Sequence, residues 1–242
     1  PFKLGEPVGH IGMVRQDRLP AVGGLFGQTA KMFNLKTIIN DPRYGSSRQY
    51  SYRIFNDRLL SPGLLMTALG ETVSAAARSD GESAALFSYS LQLDDGTSIS
   101  AENFLSDTGG TLQAIFGVMA DAGSLLNNPY KPVDLTAVEF HMQITDKLRE
   151  ARLEAAALDK KMYHPGETAT LEWVLRPFRS EPVKMRYDFA VPENLPDGTY
   201  TIVVNDSDAR QDLENKRHPA GRKPNDFEDL VRLIRQNFSD NR

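Results

Sequence analysis

The sequence predicts an α+β N-terminal unit followed by an all-β, Ig-like sandwich with a C-terminal helix. Three observations lead there. Strand-like alternation interleaves with two amphipathic helical stretches over residues 1–130. From residue 131 apolar side chains recur mostly at alternate positions, the period of strands with one buried face. Near the end, Phe227, Leu230, Val231, Ile234 and Phe238 return to helical spacing. The units expected are 1–130, an α+β domain; 131–206, a β-sandwich; and 207–242, a linker and terminal helix.

The elements follow in order. Residues 8–18 read as a strand, and Val22-Gly23-Gly24-Leu25-Phe26-Gly27 as a tight, close-packed turn region. Residues 32–39 and 49–55 are strands around the polar loop 40–47. Ser61 is placed to cap a helix with Pro62 at its first position, where a missing N–H costs nothing. Leu64, Leu65, Ala68, Leu69, Thr72, Val73 and Ala76 share one face of that helix, and Asp80-Gly81 ends it. Phe87, Tyr89, Leu91 and Leu93 alternate into a hairpin whose Asp95-Gly96 supplies positive φ angles. A second helix presents Leu112, Ile115, Phe116, Met119 and Leu126, and Asn127-Asn128-Pro129 stops it.

In the second half, Val138, Phe140, Met142 and Ile144 form one stripe, followed by Leu171, Trp173 and Leu175. Val183, Met185, Tyr187, Phe189 and Val191 alternate with polar residues, and Tyr200, Ile202 and Val204 complete the set after the turn Pro196-Asp197-Gly198. One-sided strands spaced by turns argue for a sandwich with Trp173 in its core. Residues 147–161 are rich in helix formers, whereas their all-β surroundings favour a strand over 152–158; the strand is expected, because tertiary context overrides local propensity. Residues 205–224 read as a polar linker, and Asn225 with Glu228 as the cap of the last helix.

Composition narrows the function classes. With 40% hydrophobic and 25% charged residues, the chain has the make-up of a globular protein able to bury a core. A net charge of −4 is no general trap for nucleic acid, and no stretch approaches the ~20 apolar residues of a membrane span. Cysteine is absent, which excludes disulfides, thiolate metal sites and cysteine nucleophiles, and fits a reducing cytoplasm and a bacterial envelope equally. The chain opens on Pro1 rather than methionine, so upstream sequence is expected.

No complete catalytic set emerges. His10, His141, His164 and His218 lack metal-ligand spacing, and no cofactor is implied. His141 sits on the polar side of its strand, a solvated position, and His164 belongs to a turn. His10, between Gly9 and Gly12, has no Ser or Cys motif beside it. Ser46-Ser47 lacks the strand–turn–helix frame of a nucleophile elbow, and Gly23-Gly24-Leu25-Phe26-Gly27 lacks the spacing of a dinucleotide fingerprint. Asp94-Asp95 and Asp206 with Asp208 lie in turns, unlike carboxylates held apart across a cleft. Lys216, Arg217, Arg222 and Lys223 have no interleaved aromatics, unlike a nucleic-acid site. The distinctive polar cluster is Arg15, Gln16, Asp17 and Arg18. It reads either as a salt-bridged strand end that organises residues 19–22, or as a contact for a protein partner, where arginine is favoured.

Several motifs follow one another along the chain: Phe2-Lys3-Leu4-Gly5-Glu6-Pro7-Val8-Gly9; Gly12-Met13-Val14-Arg15-Gln16-Asp17-Arg18 with the glycine-rich block after it; Leu125-Leu126-Asn127-Asn128-Pro129-Tyr130; His164-Pro165-Gly166-Glu167-Thr168; and residues 227–236. Their order resembles the long bacterial relatives of the stage IV sporulation protein B (SpoIVB-type) serine peptidase family. Together the motifs span nearly the whole chain. The family's nucleophile motif, Gly-Met-Ser-Gly-Ser-Pro, does not occur in this sequence. The resemblance puts that motif, with its histidine, upstream of Pro1, so no catalytic residue carries over. It implies an extracytoplasmic location in the bacterial envelope, periplasmic or secreted. It also implies a non-catalytic scaffold or interaction region that contacts a protein partner or the upstream segment of its parent. Two alternatives are part of a peptidase unit that shapes its substrate groove, and a standalone structural subunit of an envelope assembly.

Overall fold

The computed structural model describes residues 9, 11–76, 84–105, 110–145, 150–217 and 223–236, and the fold is mostly β with several sheets and a few helices. Strands β1 (Gly12–Arg18) and β2 (Ala21–Phe26) form a two-stranded ribbon. Strands β3 (Met32–Asp41), β4 (Ser46–Phe55), β5 (Ala84–Leu93), β6 (Ser98–Leu105) and β7 (Leu135–Thr145) form a sheet in the order β4-β3-β7-β5-β6. Strands β8 (Ala151–Leu158), β9 (Thr168–Pro177) and β10 (Val183–Ala190) form a third sheet with β9 in the middle. Helix α1 (Ser61–Ala76) follows β4, α2 (Gly110–Leu126) follows β6, and α3 (Ser207–Arg217) and α4 (Phe227–Arg235) follow β10.

The five-stranded sheet carries the core because its alternation is strict. Phe33, Leu35, Ile39, Phe87, Tyr89, Leu91, Val138, Phe140 and Met142 all point to one face, and all are buried. Onto that face pack α1, through Leu65, Leu69, Val73 and Ala76, and α2, through Ala114, Ile115, Val118, Ala122 and Leu125. Each fully buried aliphatic or aromatic side chain contributes about 1.5–3 kcal/mol. The hydroxyls of Tyr52 and Thr72 meet at 2.7 Å and tie β4 to α1. Asp57 shapes the approach to α1, its Oδ1 accepting from the N–H groups of Leu59 and Leu60. Ser61, expected as the cap, instead donates its hydroxyl to the Phe55 carbonyl from the first helical position. On α2, Phe116, expected on the apolar face, is exposed.

Four expectations change. The stripe Val138, Phe140, Met142 and Ile144, assigned to the sandwich, is β7, the middle strand of the five-stranded sheet, parallel to β3 and antiparallel to β5. The first unit therefore does not stop at residue 130. Its alternation suits any half-buried strand, and nothing local says which sheet will accept it. The glycine block 22–27, expected as a turn, is mostly strand β2: a Cβ on Gly12 would stand 2.3 Å from the Leu25 carbonyl oxygen, so the block packs closely against β1 rather than turning back on itself. Tyr200, Ile202 and Val204 join no sheet; residues 199–206 are irregular, and Tyr200 donates its hydroxyl back to the Pro196 carbonyl. The linker 205–224 contains α3, and α4 is capped by Asp226, which accepts from the Asp229 N–H, rather than by Asn225 with Glu228.

Helix α4 finds its partner surface on the first unit, not on the three-stranded sheet. Phe227, Val231 and Ile234 are buried in the same core as α2 and Ile99. The Lys131 ammonium sits 4.2 Å from the Phe227 ring centre, Tyr130 donates its hydroxyl to the Pro224 carbonyl, and Arg235 donates to the Ser98 carbonyl. The β8–β10 sheet is thus an insertion between two elements, β7 and α4, that belong to one core.

Candidate docking site

Arg15, Gln16, Asp17 and Arg18 all lie on β1, exposed to solvent. Among the described residues β1 pairs with β2 alone, and neither β3 nor β4 covers its outer edge. A bulge at Arg15 shifts the register between Val14 and Gln16, and Gln16, Asp17 and Arg18 then stand opposite Gly23, Val22 and Ala21. Alternation sends Gln16 and Arg18 to one face and Asp17 to the other, so the structure brings the four together on one strand without merging them into one patch. Among the described residues none of the four side chains makes an ion pair or hydrogen bond. The salt-bridged strand end expected as one reading is not seen among the described residues.

The ribbon has an apolar side as well. Phe26, Val14 and Val22 are 84%, 62% and 65% exposed and share the face that carries Gly12 and Gly24, while Leu19 stands at the tip fully exposed. The ribbon joins the body where the Gly27 N–H, on a residue with φ of 72°, donates to the Ile11 carbonyl at 3.0 Å. A two-stranded ribbon is marginal in water by itself, and among the described residues this one offers two unpaired edges, apolar side chains and unpaired charged groups.

The chemistry considered in the sequence stays dispersed. His10 and His218 lie outside the described residues, and His164 is exposed in a turn. The Ser47 hydroxyl donates to the Asn40 side-chain oxygen in the β3–β4 pair. Asp95 pairs with Lys131 at 2.7 Å; that hydrogen bond, with one from the Thr97 N–H, holds its carboxyl down to about 2. Lys216 and Arg217 end α3, and Arg217 pairs with Glu214 of its own helix. No group of three His, Asp or Glu side chains among the described residues could hold a metal ion. Among the described residues no helix is long and apolar enough to cross a membrane.

One juxtaposition escaped the sequence. His141, Ser88 and Glu102 occupy successive positions across β7, β5 and β6 on the open face of the five-stranded sheet, beside the row Glu139, Ser90 and Ser100. With Ile234 and Arg235 these residues line a shallow groove of about 450 Å³. His141 makes no hydrogen bond to Ser88, so the serine lacks the engaged base that nucleophilic catalysis requires. The signal was present in the period-2 pattern of three strands, but reading it required knowing that β7 lies beside β5.

Comparison of the chain with family models, curated proteins and solved structures finds no match.

Proposed function

We propose that this chain is a non-catalytic scaffold or interaction region of a SpoIVB-type, peptidase-like envelope protein, and that the β1–β2 ribbon is its docking element. The ribbon carries this reading: among the described residues the charged side chains of β1 make no ion pair or hydrogen bond, and the outer edges of β1 and β2 pair with no other strand. Its partner is another protein, or the segment upstream of it in the same parent. An incoming strand would pair with β1 through main-chain hydrogen bonds, and Arg15 and Arg18 would fix its register through charge-assisted ones. On the same reading the β8–β10 sheet is one layer of an Ig-like sandwich, and the location is extracytoplasmic.

Hydrogen exchange tests the docking. Amides of residues 12–26 should exchange fast in the isolated chain and slow by at least tenfold in the parent protein or assembly; equal protection in both would sink the idea. A serine-reactive phosphonate probe should give only background, and specific labelling of any serine would refute the non-catalytic role.

A further inference from the structure

The β8–β10 sheet has two chemically opposite faces. Cross-strand partners put Leu158, Leu171 and Tyr187 in one row, Ala156, Trp173 and Met185 in the next, and Leu153, Leu175 and Val183 in a third. Ala169 and Phe189 extend the same face. The back face holds the charges: Glu154 pairs with Arg176, and Asp188 accepts from Arg186 and from the Thr170 hydroxyl. This is the pattern of a sandwich layer, apolar within and ionic without. Yet the apolar face is open, with Met185 43% and Tyr187 59% exposed, and Trp173 only half-buried at its centre.

We propose that this face binds the same face of a second copy of the chain, each copy supplying one layer of a β-sandwich. Two observations select a second copy as the occupant. The first is charge. Apart from the Tyr187 phenol, the face carries no ionisable side chain, so a two-fold axis through Trp173 brings no like charges together. The second is size. Strands of 8, 10 and 8 residues make a face roughly 26 Å by 14 Å at the usual rise and spacing. With side-chain relief, two such faces bury roughly 1,000–1,200 Å², the lower bound for a specific interface. The chain's own segment 199–204 is a poorer fit: one six-residue stretch covers about a third of a three-stranded face, and Tyr200 is already tied to Pro196.

Trp173 is the only tryptophan, and the two-fold axis places it at the centre of the contact, so its emission reports the association directly. Sedimentation and tryptophan emission of the full chain are followed from about 1 to 200 µM. The expected result is a dimer with Kd on the order of 1–100 µM, the range for a small interface, and a blue shift of emission that tracks dimer formation. Met185→Lys and, independently, Tyr187→Lys should weaken the dimer at least ~100-fold while leaving the far-UV spectrum of the monomer unchanged. A monomer at every concentration overturns the proposal, whether its emission is red, which means an uncovered face, or blue, which means a cover from the chain itself. A dimer that survives both substitutions, or that forms without moving the emission, overturns it as well, because another surface then carries the contact.

Discussion

Asp121 is a carboxylate buried in the wrong place for its charge, and Asp121→Asn should show it. Both Asp121 and Tyr89 are 6% exposed, and the Tyr89 hydroxyl donates to Asp121 Oδ2 at 2.5 Å. Burial pushes the Asp121 carboxyl up to about 6, although the Tyr89 hydrogen bond pulls the other way. Burial first, then the charge and hydrogen bond of Asp121, raise the Tyr89 phenol. A rise from the ordinary 3.8 to about 6 corresponds to about 3 kcal/mol. The sign follows from proton binding. Between about pH 4 and 6 the folded chain holds a proton on Asp121 that the unfolded chain has released, so stability falls as pH rises through this window. Above it the full cost of the buried charge remains.

Asparagine keeps the shape and an oxygen to accept from Tyr89, and carries no charge. Urea melts of both proteins from pH 4.5 to 8 measure the difference. At pH 8 the variant should be more stable by about 1–3 kcal/mol, less than the full shift because its amide N–H groups also need partners. At pH 4.5, where the native aspartic acid is itself neutral, the advantage should vanish or reverse. Asp95, Asp159, Asp188 and Asp229, whose pKa values are lowered, titrate below this range and cancel in the comparison. A stability difference that stays constant with pH would refute the reasoning.

Three further outcomes are expected. Thr37 is wholly buried and its hydroxyl has no hydrogen-bond partner among the described residues, so Thr37→Val should raise stability by about 1–2 kcal/mol in urea melts; a loss would reveal a hidden partner. Phe227→Ala removes the anchor of α4 and should cost about 3–5 kcal/mol, whereas a cost below about 1 kcal/mol would mean that α4 lies outside the core. Gly12→Ala drives a Cβ into the Leu25 carbonyl, so amides 12–26 should lose protection while the main melting transition barely moves; a collapse of that transition would show that the ribbon supports the core.

What was legible in the sequence follows a physical divide. Strands β3 to β6 and helices α1 and α2 could be read because a local signal sets each: alternation in Phe87, Tyr89, Leu91 and Leu93, positive φ at Gly96, a helical stripe through Leu65 and Leu69. Strand β8 fell where strand context outweighed helix-forming residues. Non-local choices were not legible. Parallel pairing of β7 with β3 joins residues about a hundred positions apart, and no residue of β7 encodes it. Tyr200, Ile202 and Val204 show the converse, strand alternation with no neighbouring strand to complete it. At the site, the exposure of Arg15 to Arg18 was open to either reading of the cluster; the absence of ion pairs appears only once β1 is seen to stand away from the body.

The insertion between β7 and α4 ties the third sheet to the core at both ends. A domain at the end of a chain can unfold and leave its neighbour intact, because only one connection is strained. Here one connection leads back to the middle strand of the five-stranded sheet, and the other to a helix whose Phe227, Val231 and Ile234 seal one end of the same core. Of these two attachments, β7 is flanked by β3 and β5, and α4 is held by three buried side chains and a few exposed bonds. Between the two, α4 is the weaker link, since β7 is paired along both edges and buried on the helix-covered face. Hydrogen exchange should therefore open the α4 amides, and with them the cover over Ile99 and the end of α2, before those of β7; equal protection of α4 and β7 would refute this order.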